Sequence, residues 1–126
     1  MIILILNTTV EESFFCAGGI GYVTCAWIAI SYLRYLGCKL PIELWFNDGE
    51  ITSETISELS SLEVKCCNFQ SSTTKKLSGY ALKPLAIINS SFEEILFLDA
   101  DNNCLKDPSY YIPWLFPMLT IFVFML

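Results

Sequence analysis

The sequence contains no histidine, which removes the imidazole group from every site that these residues build. Ser-His-Asp and Cys-His catalytic systems are therefore excluded, as are zinc sites that need an imidazole ligand. Basic side chains are also few, since seven Lys and Arg stand against thirteen Asp and Glu and give a net charge of −6. The basic side chains nowhere cluster beyond Lys75-Lys76, so the composition argues against a nucleic-acid-binding surface.

The sequence also lacks an unbroken apolar run of the roughly 20 residues that a transmembrane helix needs. The nearest candidate is the stretch 110–126, which carries no charge but is interrupted by Pro113 and Pro117. We therefore divide the chain into a domain over residues 1–109 and an apolar tail over 110–126. We expect the tail to lie apart from the soluble core, and membrane association or packing on further sequence are both open for it.

The six cysteines include no C-x-x-C pair, although Cys66 and Cys67 are adjacent. Most of them lie inside apolar runs, where cysteine behaves as a small buried hydrophobic residue. The pattern favours reduced thiols in the core over a set of three disulfides.

Two carboxylates, Asp99 and Asp101, follow the apolar run 95–98. Such a run is typical of a strand buried on both faces, as in a parallel sheet. Ligands of open α/β sheets bind at the carboxyl ends of the strands, and residues i and i+2 of an extended chain point to the same side. We therefore expect Asp99 and Asp101 to hold one hard divalent cation, which could bridge to a diphosphate.

Three other interpretations of the Asp-x-Asp motif are weighed against this one. It could be an acidic turn after a buried strand, because Asp and Asn favour turns. A calcium-binding EF-hand loop fits poorly, since Cys104 stands where glycine is needed and Tyr110 where the bidentate glutamate is needed. A phosphoaspartate phosphatase would use Asp99 as its nucleophile, but in that superfamily the motif normally opens the domain.

Apolar runs and turn signals alternate along the rest of the chain and predict a parallel α/β sheet. Gly37 is expected to end the first helix, and Thr52 to cap the second. The predicted strands cover 13–17, 41–46, 64–67 and 95–98, and the predicted helices cover 22–36, 53–59 and a segment that opens at Lys83-Pro84.

A glycine-rich turn, 18–21, separates the first strand from the first helix, where a phosphate could approach the backbone. Read as a dinucleotide-binding fingerprint, it has Thr24 in place of the third glycine, which argues against a Rossmann-type dehydrogenase. Lys83 stands at the positive end of a predicted helix. It is either a phosphate contact or a solvated surface lysine.

Several blocks of this sequence, in their order and spacing across residues 13–109, resemble the mannosyltransferase family related to fungal α-1,3-mannosyltransferases. The blocks are Gly18-Gly19-x-x-Tyr22, Ala26-Trp27, Leu36-Gly37-Cys38-Lys39-Leu40-Pro41-Ile42-Glu43-Leu44-Trp45, Gly79-Tyr80-x-Leu82-Lys83-Pro84-x-Ala86-Ile87 and Leu98-Asp99-Ala100-Asp101-Asn102.

The resemblance implies a GT-A type, Rossmann-like nucleotide-sugar transferase fold with a mostly parallel sheet and flanking helices, here in truncated form. It implies transfer of mannose, with retention, from a nucleotide-diphosphate sugar such as GDP-mannose to a glycan or glycoprotein acceptor. By the same resemblance, Asp99 and Asp101 would hold Mn²⁺ or Mg²⁺. The donor-binding residues would be Ala17, Gly18, Gly19, Tyr22, Lys83, Asp99 and Asp101.

The chain departs from the family at Tyr80-Ala81, where the family has Trp-Glu, and in the half that follows the Asp-x-Asp strand. That half binds the acceptor in the family, and here the apolar tail stands in its place. A non-catalytic domain that binds nucleotide sugar or another protein therefore stays open beside the transferase. Family members occur both as bacterial cytosolic proteins and as anchored Golgi enzymes, so the resemblance leaves the compartment open.

Overall fold

A computed structural model describes residues 13–16, 20–71, 81–91, 95–97, 103–110 and 121–123 of the chain. Strands and helices alternate through most of this part. The strands are β1 (Ser13–Cys16), β2 (Ile42–Phe46), β3 (Val64–Asn68), β4 (Ile95–Phe97) and β5 (Ile121–Val123). The helices are α1 (Ile20–Tyr35), α2 (Ser53–Ser61) and α3 (Leu82–Asn89).

The five strands form one sheet in the order β3-β2-β1-β4-β5, and every pair in it is parallel. This confirms the predicted α/β class and its parallel sheet. The chain first moves outward from β1 through β2 to β3, and then returns to place β4 on the other side of β1. The direction of progress along the sheet therefore reverses between β1 and β4.

The outermost strand, β5, comes from the apolar tail. It pairs in parallel with β4, with Ile121 opposite Ile95 and Val123 opposite Phe97. We expected the tail to lie apart from the core, and for these three residues that expectation is wrong. The free edge of β4 offers unpaired backbone groups, and β-branched and aromatic residues such as those of β5 are well suited to pair with it. The boundary at residue 109 stays a prediction.

Helices α1 and α2 pack on one face of the sheet around an apolar core. Strand β2 contributes alternate residues to it, as a strand with two different faces should. The core consists of Ala26, Ala29, Ile30, Leu33, Cys38, Leu40, Ile42, Leu44, Leu59, Val64 and Leu96.

The residues of β2 between those core positions point to the opposite face. Trp45 is buried there and packs against Phe69, with the two ring centroids 5.2 Å apart. The side chains of Ser90 and Ser91, directly after α3, contact Glu43. Helix α3 therefore ends against this second face, and the fold has three layers.

The outer side of α1 is more exposed than its sequence predicts. Apolar residues surround a narrow polar stripe in this helix, a pattern that favours a helix covered on most sides. Instead, Ile28 and Tyr35 are 57% and 82% exposed, and Tyr32 stacks on Tyr35 with ring centroids 6.0 Å apart. The sheet covers one side of the helix. The apolar character of the helix sequence does not by itself determine how many of its sides are packed against other elements. In the described part of the chain, no helix is long and apolar enough to cross a membrane.

Arg34, near the end of α1, joins two connections of the fold. Its guanidinium donates hydrogen bonds of 2.9 Å to the carbonyls of Leu62, Cys38 and Leu40, and one of 3.2 Å to the carbonyl of Glu63. These carbonyls lie before β2 and between α2 and β3. Arg34 thus supplies donors to backbone carbonyls of both connections.

The predicted helix ends are confirmed. Gly37 adopts a φ of +91°, and the N–H groups of Gly37 and Cys38 return to the carbonyls of Arg34 and Leu33, which closes α1. Thr52 caps α2 by accepting a hydrogen bond of 3.3 Å from the N–H of Thr55.

Candidate functional site

The carboxyl ends of β1 and β4 define the candidate site. The two strands are parallel neighbours, with Phe14 opposite Phe97, so β1 ends at Cys16 and β4 at Phe97 on the same edge of the sheet. They are also the two strands between which the strand order reverses. In open α/β sheets, ligands bind in the crevice at such a reversal.

Most of the predicted site residues fall just beyond these two strand ends. Ala17, Gly18 and Gly19 follow β1 directly, and Asp99 and Asp101 follow β4 after Leu98. All five lie outside the described residues, so their assignment stays a prediction. The structure does bring together the strands and helices that precede and follow them.

The other two predicted residues are described, and each occupies the first turn of a helix. Tyr22, in α1, is 50% exposed, and Lys83, in α3, is half-buried. A helix that connects two parallel strands runs back against them, so its N-terminus lies at their carboxyl edge. Tyr22 and Lys83 therefore belong to the same edge of the sheet as the β1 and β4 ends.

The start of α3 has a further property that suits an anion. Its cap residue, Ala81, offers no side-chain acceptor to the first N–H groups of the helix. Helix N-termini carry partial positive charge and free N–H groups, and phosphates bind there. Lys83 adds a full positive charge to the same turn.

A polar network at the ends of β2 and β3 was missed by the sequence analysis. Buried Asn47 accepts a hydrogen bond of 3.1 Å from Gln70 Nε2, and its own N–H donates to Glu50 Oε2 at 2.8 Å. The N–H of Asp48 donates to Gln70 Oε1 at 2.8 Å, and the Asp48 carboxylate accepts from Asn68. These hydrogen bonds hold the carboxyl ends of β2 and β3 together. They lie on the same edge of the sheet as the candidate site, one and two strands away from β1.

Part of this network had a sequence signal. Asn47-Asp48-Gly49 predicts a turn, which is present: Gly49 has a φ of +80°, and the N–H of Glu50 donates to the carbonyl of Asn47 at 3.1 Å. Gln70 had no such signal, because it lies more than twenty residues further along and meets the turn only when β2 and β3 pair.

Comparison with known proteins identifies the family. The family described as "Mannosyltransferase putative" matches residues 14–113. The chain belongs to this mannosyltransferase family. The match covers β1 through β4, and therefore both strands that define the candidate site.

Curated relatives in the family are yeast enzymes. The chain is 37% identical over 98 residues to the α-1,2-mannosyltransferase MNN24 of Candida albicans, a match that covers 72% of this chain and 14% of the relative. It is 35% identical over 97 residues to the α-1,2-mannosyltransferase MNN2 of Saccharomyces cerevisiae, covering 71% and 16%. The chain thus spans about a sixth of the length of the curated relatives it matches.

The family assignment agrees with the resemblance seen in the sequence. The linkage in the relatives' names is α-1,2, whereas the resemblance was to a family related to α-1,3-mannosyltransferases. No solved structure matches the chain.

Thiol chemistry is disfavoured in the described part of this mannosyltransferase chain. The five cysteines whose side chains the structure describes, Cys25, Cys38, Cys66, Cys67 and Cys104, are free. Burial raises the pKa of Cys38 and of Cys67 to about 12, and that of Cys66 and of Cys104 to about 11. These four thiols therefore stay neutral near pH 7, which disfavours them as thiolate nucleophiles.

The described residues also contain no group of three His, Cys, Asp or Glu side chains placed to hold a metal ion. This finding does not bear on Asp99 and Asp101, which lie outside them.

Proposed function

We propose that this chain is the nucleotide-sugar-binding part of a metal-dependent mannosyltransferase of GT-A type. The donor is a nucleotide-diphosphate mannose such as GDP-mannose, the acceptor is a glycan or glycoprotein, and the sugar is transferred with retention of configuration. Membership of a mannosyltransferase family supports the reaction class.

One observation of the fold carries the proposal. β1 and β4 are parallel neighbours at the reversal of the strand order, and their carboxyl ends lead directly into the glycine-rich turn and the Asp-x-Asp motif. Either motif alone would be weak. A diphosphate site requires both motifs at one crevice, and the neighbouring carboxyl ends of β1 and β4 support that arrangement.

The residues of this crevice have distinct proposed roles. Backbone N–H groups of Ala17, Gly18 and Gly19, at the start of α1, approach the nucleotide without side-chain obstruction. Tyr22 lines the nucleotide from the first turn of α1. Lys83 and the positive end of α3 stabilise the negative charge of the donor phosphates.

The donor set at the Asp-x-Asp motif fits a hard divalent cation. Carboxylate oxygens are the ligands that Mg²⁺ and Mn²⁺ prefer, and two carboxylates one residue apart on extended backbone address one ion. Asp99 and Asp101 would hold that ion. When bound, it supplies Lewis-acid stabilisation of the departing nucleoside diphosphate.

A second candidate function is donor binding without transfer. The chain covers only 14% to 18% of the lengths of the curated relatives that it matches. Positioning of a second reactant contributes several powers of ten to a rate, on the order of 10⁵ or more in favourable cases. If the acceptor is bound by residues outside this chain, the chain by itself binds the donor but does not transfer its sugar.

The Asp-x-Asp assignment is tested by titrating GDP into the wild-type chain and Asp101→Asn, each with and without Mn²⁺, in a calorimeter. We expect Mn²⁺-dependent GDP binding in the wild type and a loss of at least about tenfold in Asp101→Asn, because even outer-shell partners of a metal are typically worth 10–100-fold in affinity. Metal-free thermal stability should be unchanged or slightly higher, since the variant removes repulsion between two carboxylates.

Glu58→Gln is the matched control, because it removes one negative charge from an exposed position of α2. It should bind GDP as the wild type does. Equal GDP affinities in wild type and Asp101→Asn, with and without Mn²⁺, would contradict the metal-bridged site. Lost stability with unchanged GDP binding would instead support an acidic turn.

A further inference from the structure

A fully buried carboxylate lies at the edge of the sheet opposite the proposed donor site. Glu43, the second residue of β2, is 1% exposed. Its Oε1 accepts hydrogen bonds from Lys65 Nζ at 2.6 Å and Ser91 Oγ at 2.7 Å, and its Oε2 accepts from Trp45 Nε1 at 3.1 Å and Ser90 Oγ at 3.3 Å. Both oxygens are therefore saturated by groups of the protein itself.

Folding alone does not call for a charge at this position. The side chain of Lys65 is 62% exposed, so only the carboxylate of this pair is buried, and a buried charge is often no more stabilising than well-packed apolar side chains of similar volume. Trp45, which is buried on the same face of β2 as Glu43, shows that this face accepts a large and mostly apolar side chain. The carboxylate instead holds its partner groups in one orientation, because hydrogen bonds have preferred distances and angles.

The partners of Glu43 come from three parts of the chain. Trp45 belongs to the same strand, Lys65 to the neighbouring strand β3, and Ser90 and Ser91 to the exit of α3. Lys65 Nζ also donates to Ser91 Oγ at 3.2 Å, so the serine is held by both members of the ion pair. The C-terminal end of α3 is thereby attached to β2 and β3 at one point.

Helix α3 is long enough to reach from this attachment point to the other edge of the sheet. Eight helical residues rise by about 12 Å at 1.5 Å per residue. The stretch of β2 from Glu43 to Asn47 covers a similar distance, about 13 Å at 3.3 Å per residue. A helix is stiff over so short a length, so fixing its C-terminal end also fixes the height of its first turn, where Lys83 lies.

We propose that Glu43 is a positioning residue whose carboxylate locks the C-terminal end of α3 to β2 and β3 and thereby holds Lys83 at the donor phosphates. The inference rests on the proposed function for the role of Lys83, but the attachment of α3 is a property of the chain itself. The attachment of α3 and its effect on Lys83 can be measured separately.

Hydrogen exchange of the α3 amides measures the attachment. Glu43→Gln retains the shape of the side chain but presents an amide to Lys65, and Ser91→Ala removes one hydrogen bond with little change in volume. We expect exchange across residues 82–89 to accelerate about tenfold in Glu43→Gln and less in Ser91→Ala. Glu58→Gln, the same change at an exposed position of α2, should leave exchange in α3 close to that of the wild type.

Affinity for GDP in the presence of Mn²⁺ measures the effect on Lys83, in the full chain at a temperature where all variants are folded. Glu43→Gln should weaken GDP binding about fivefold in the wild-type background and have almost no effect in Lys83→Met, because residues that act through one another are not additive. A merely structural role of Glu43 would weaken binding equally in both backgrounds.

The outcomes separate this proposal from the function on which it rests. Unchanged α3 exchange in both Glu43→Gln and Ser91→Ala would overturn the attachment, whatever GDP does. Accelerated exchange with equal GDP losses in the two backgrounds would overturn the link to Lys83. Absence of GDP binding by the wild type would overturn the donor role and the part of Lys83 in it, while the exchange arm would still decide whether Glu43 holds α3.

Discussion

The two faces of the sheet are built on different principles, although β2 contributes to both. Toward α1 and α2 it presents Ile42 and Leu44 to a continuous apolar core. Toward α3 it presents Glu43 and Trp45, and a buried carboxylate with four hydrogen-bond partners joins the layers. Apolar packing is strong but non-directional, whereas a saturated carboxylate is directional and adds little net stability. We infer that the first face supplies most of the stability and that the second sets the position of a helix.

The largest expected effect is the loss of an apolar side chain from the first face. Leu44 is fully buried, and Leu44→Ala should lower the free energy of unfolding by about 2–5 kcal/mol, the range for large-to-small changes in a core. Urea denaturation followed by circular dichroism measures it. Ile28→Ala, on the exposed side of α1, is the control and should change stability by no more than about 0.5 kcal/mol. Similar losses in both variants would contradict the assignment of the core to this face.

A smaller effect is expected from Arg34, a group on this side whose contribution is directional. Arg34→Met keeps an apolar stem but removes the donors to four backbone carbonyls, and should cost about 2 kcal/mol of unfolding free energy because those acceptors lose their partners. Lys39→Met removes a charge from an exposed position nearby and serves as control. Equal stability of the two variants would show that water satisfies the carbonyls once the guanidinium is removed. Arg34 would then make no directional contribution to the stability of this face.

The smallest effect concerns the start of α2. Thr52→Ala removes the side-chain cap and should lower the free energy of unfolding by about 1 kcal/mol, a typical value for an N-cap. Ser57→Ala, at an exposed position within α2, is the control; because alanine favours helix, it should leave stability unchanged or raise it slightly. A loss in Ser57→Ala equal to that in Thr52→Ala would show that the cap does not matter.

Local sequence signals were sufficient for most of the framework. β2 was predicted to within one residue of its observed bounds because an apolar run ends at Asn47-Asp48-Gly49, and Gly37 and Thr52 were identified from the chemistry of helix ends. β5 was not predicted, because three strand residues are inconspicuous in a long uncharged stretch interrupted by prolines. Its pairing depends on the free edge of β4, which the tail sequence does not reveal.

The site was predicted unevenly, and for a similar reason. Sequence patterns predicted a site at the carboxyl end of the strand before Asp99 and proposed Lys83 as a phosphate contact from the helix that it begins. The reversal of the strand order between β1 and β4 is visible only in the structure. Glu43 was missed, since its partners Lys65 and Ser91 lie 22 and 48 positions further along the chain. Interactions of that range become visible only when the strands pair. The roles of Asp99 and Asp101 stay predictions.

The reversal of the strand order also has a consequence for how the chain folds. β1, β2 and β3 are neighbours both in the chain and in the sheet. β4 follows β3 in the chain but pairs with β1, so the loop that this pairing closes contains β2 and β3. Closing so long a loop is entropically costly, and contacts between distant residues form late and slowly. The β1–β4 pairing should therefore be among the last to form on the folding pathway. The crevice in which the donor is proposed to bind would then be absent from partly folded chains, so that nucleotide would be recognised only once the sheet is complete.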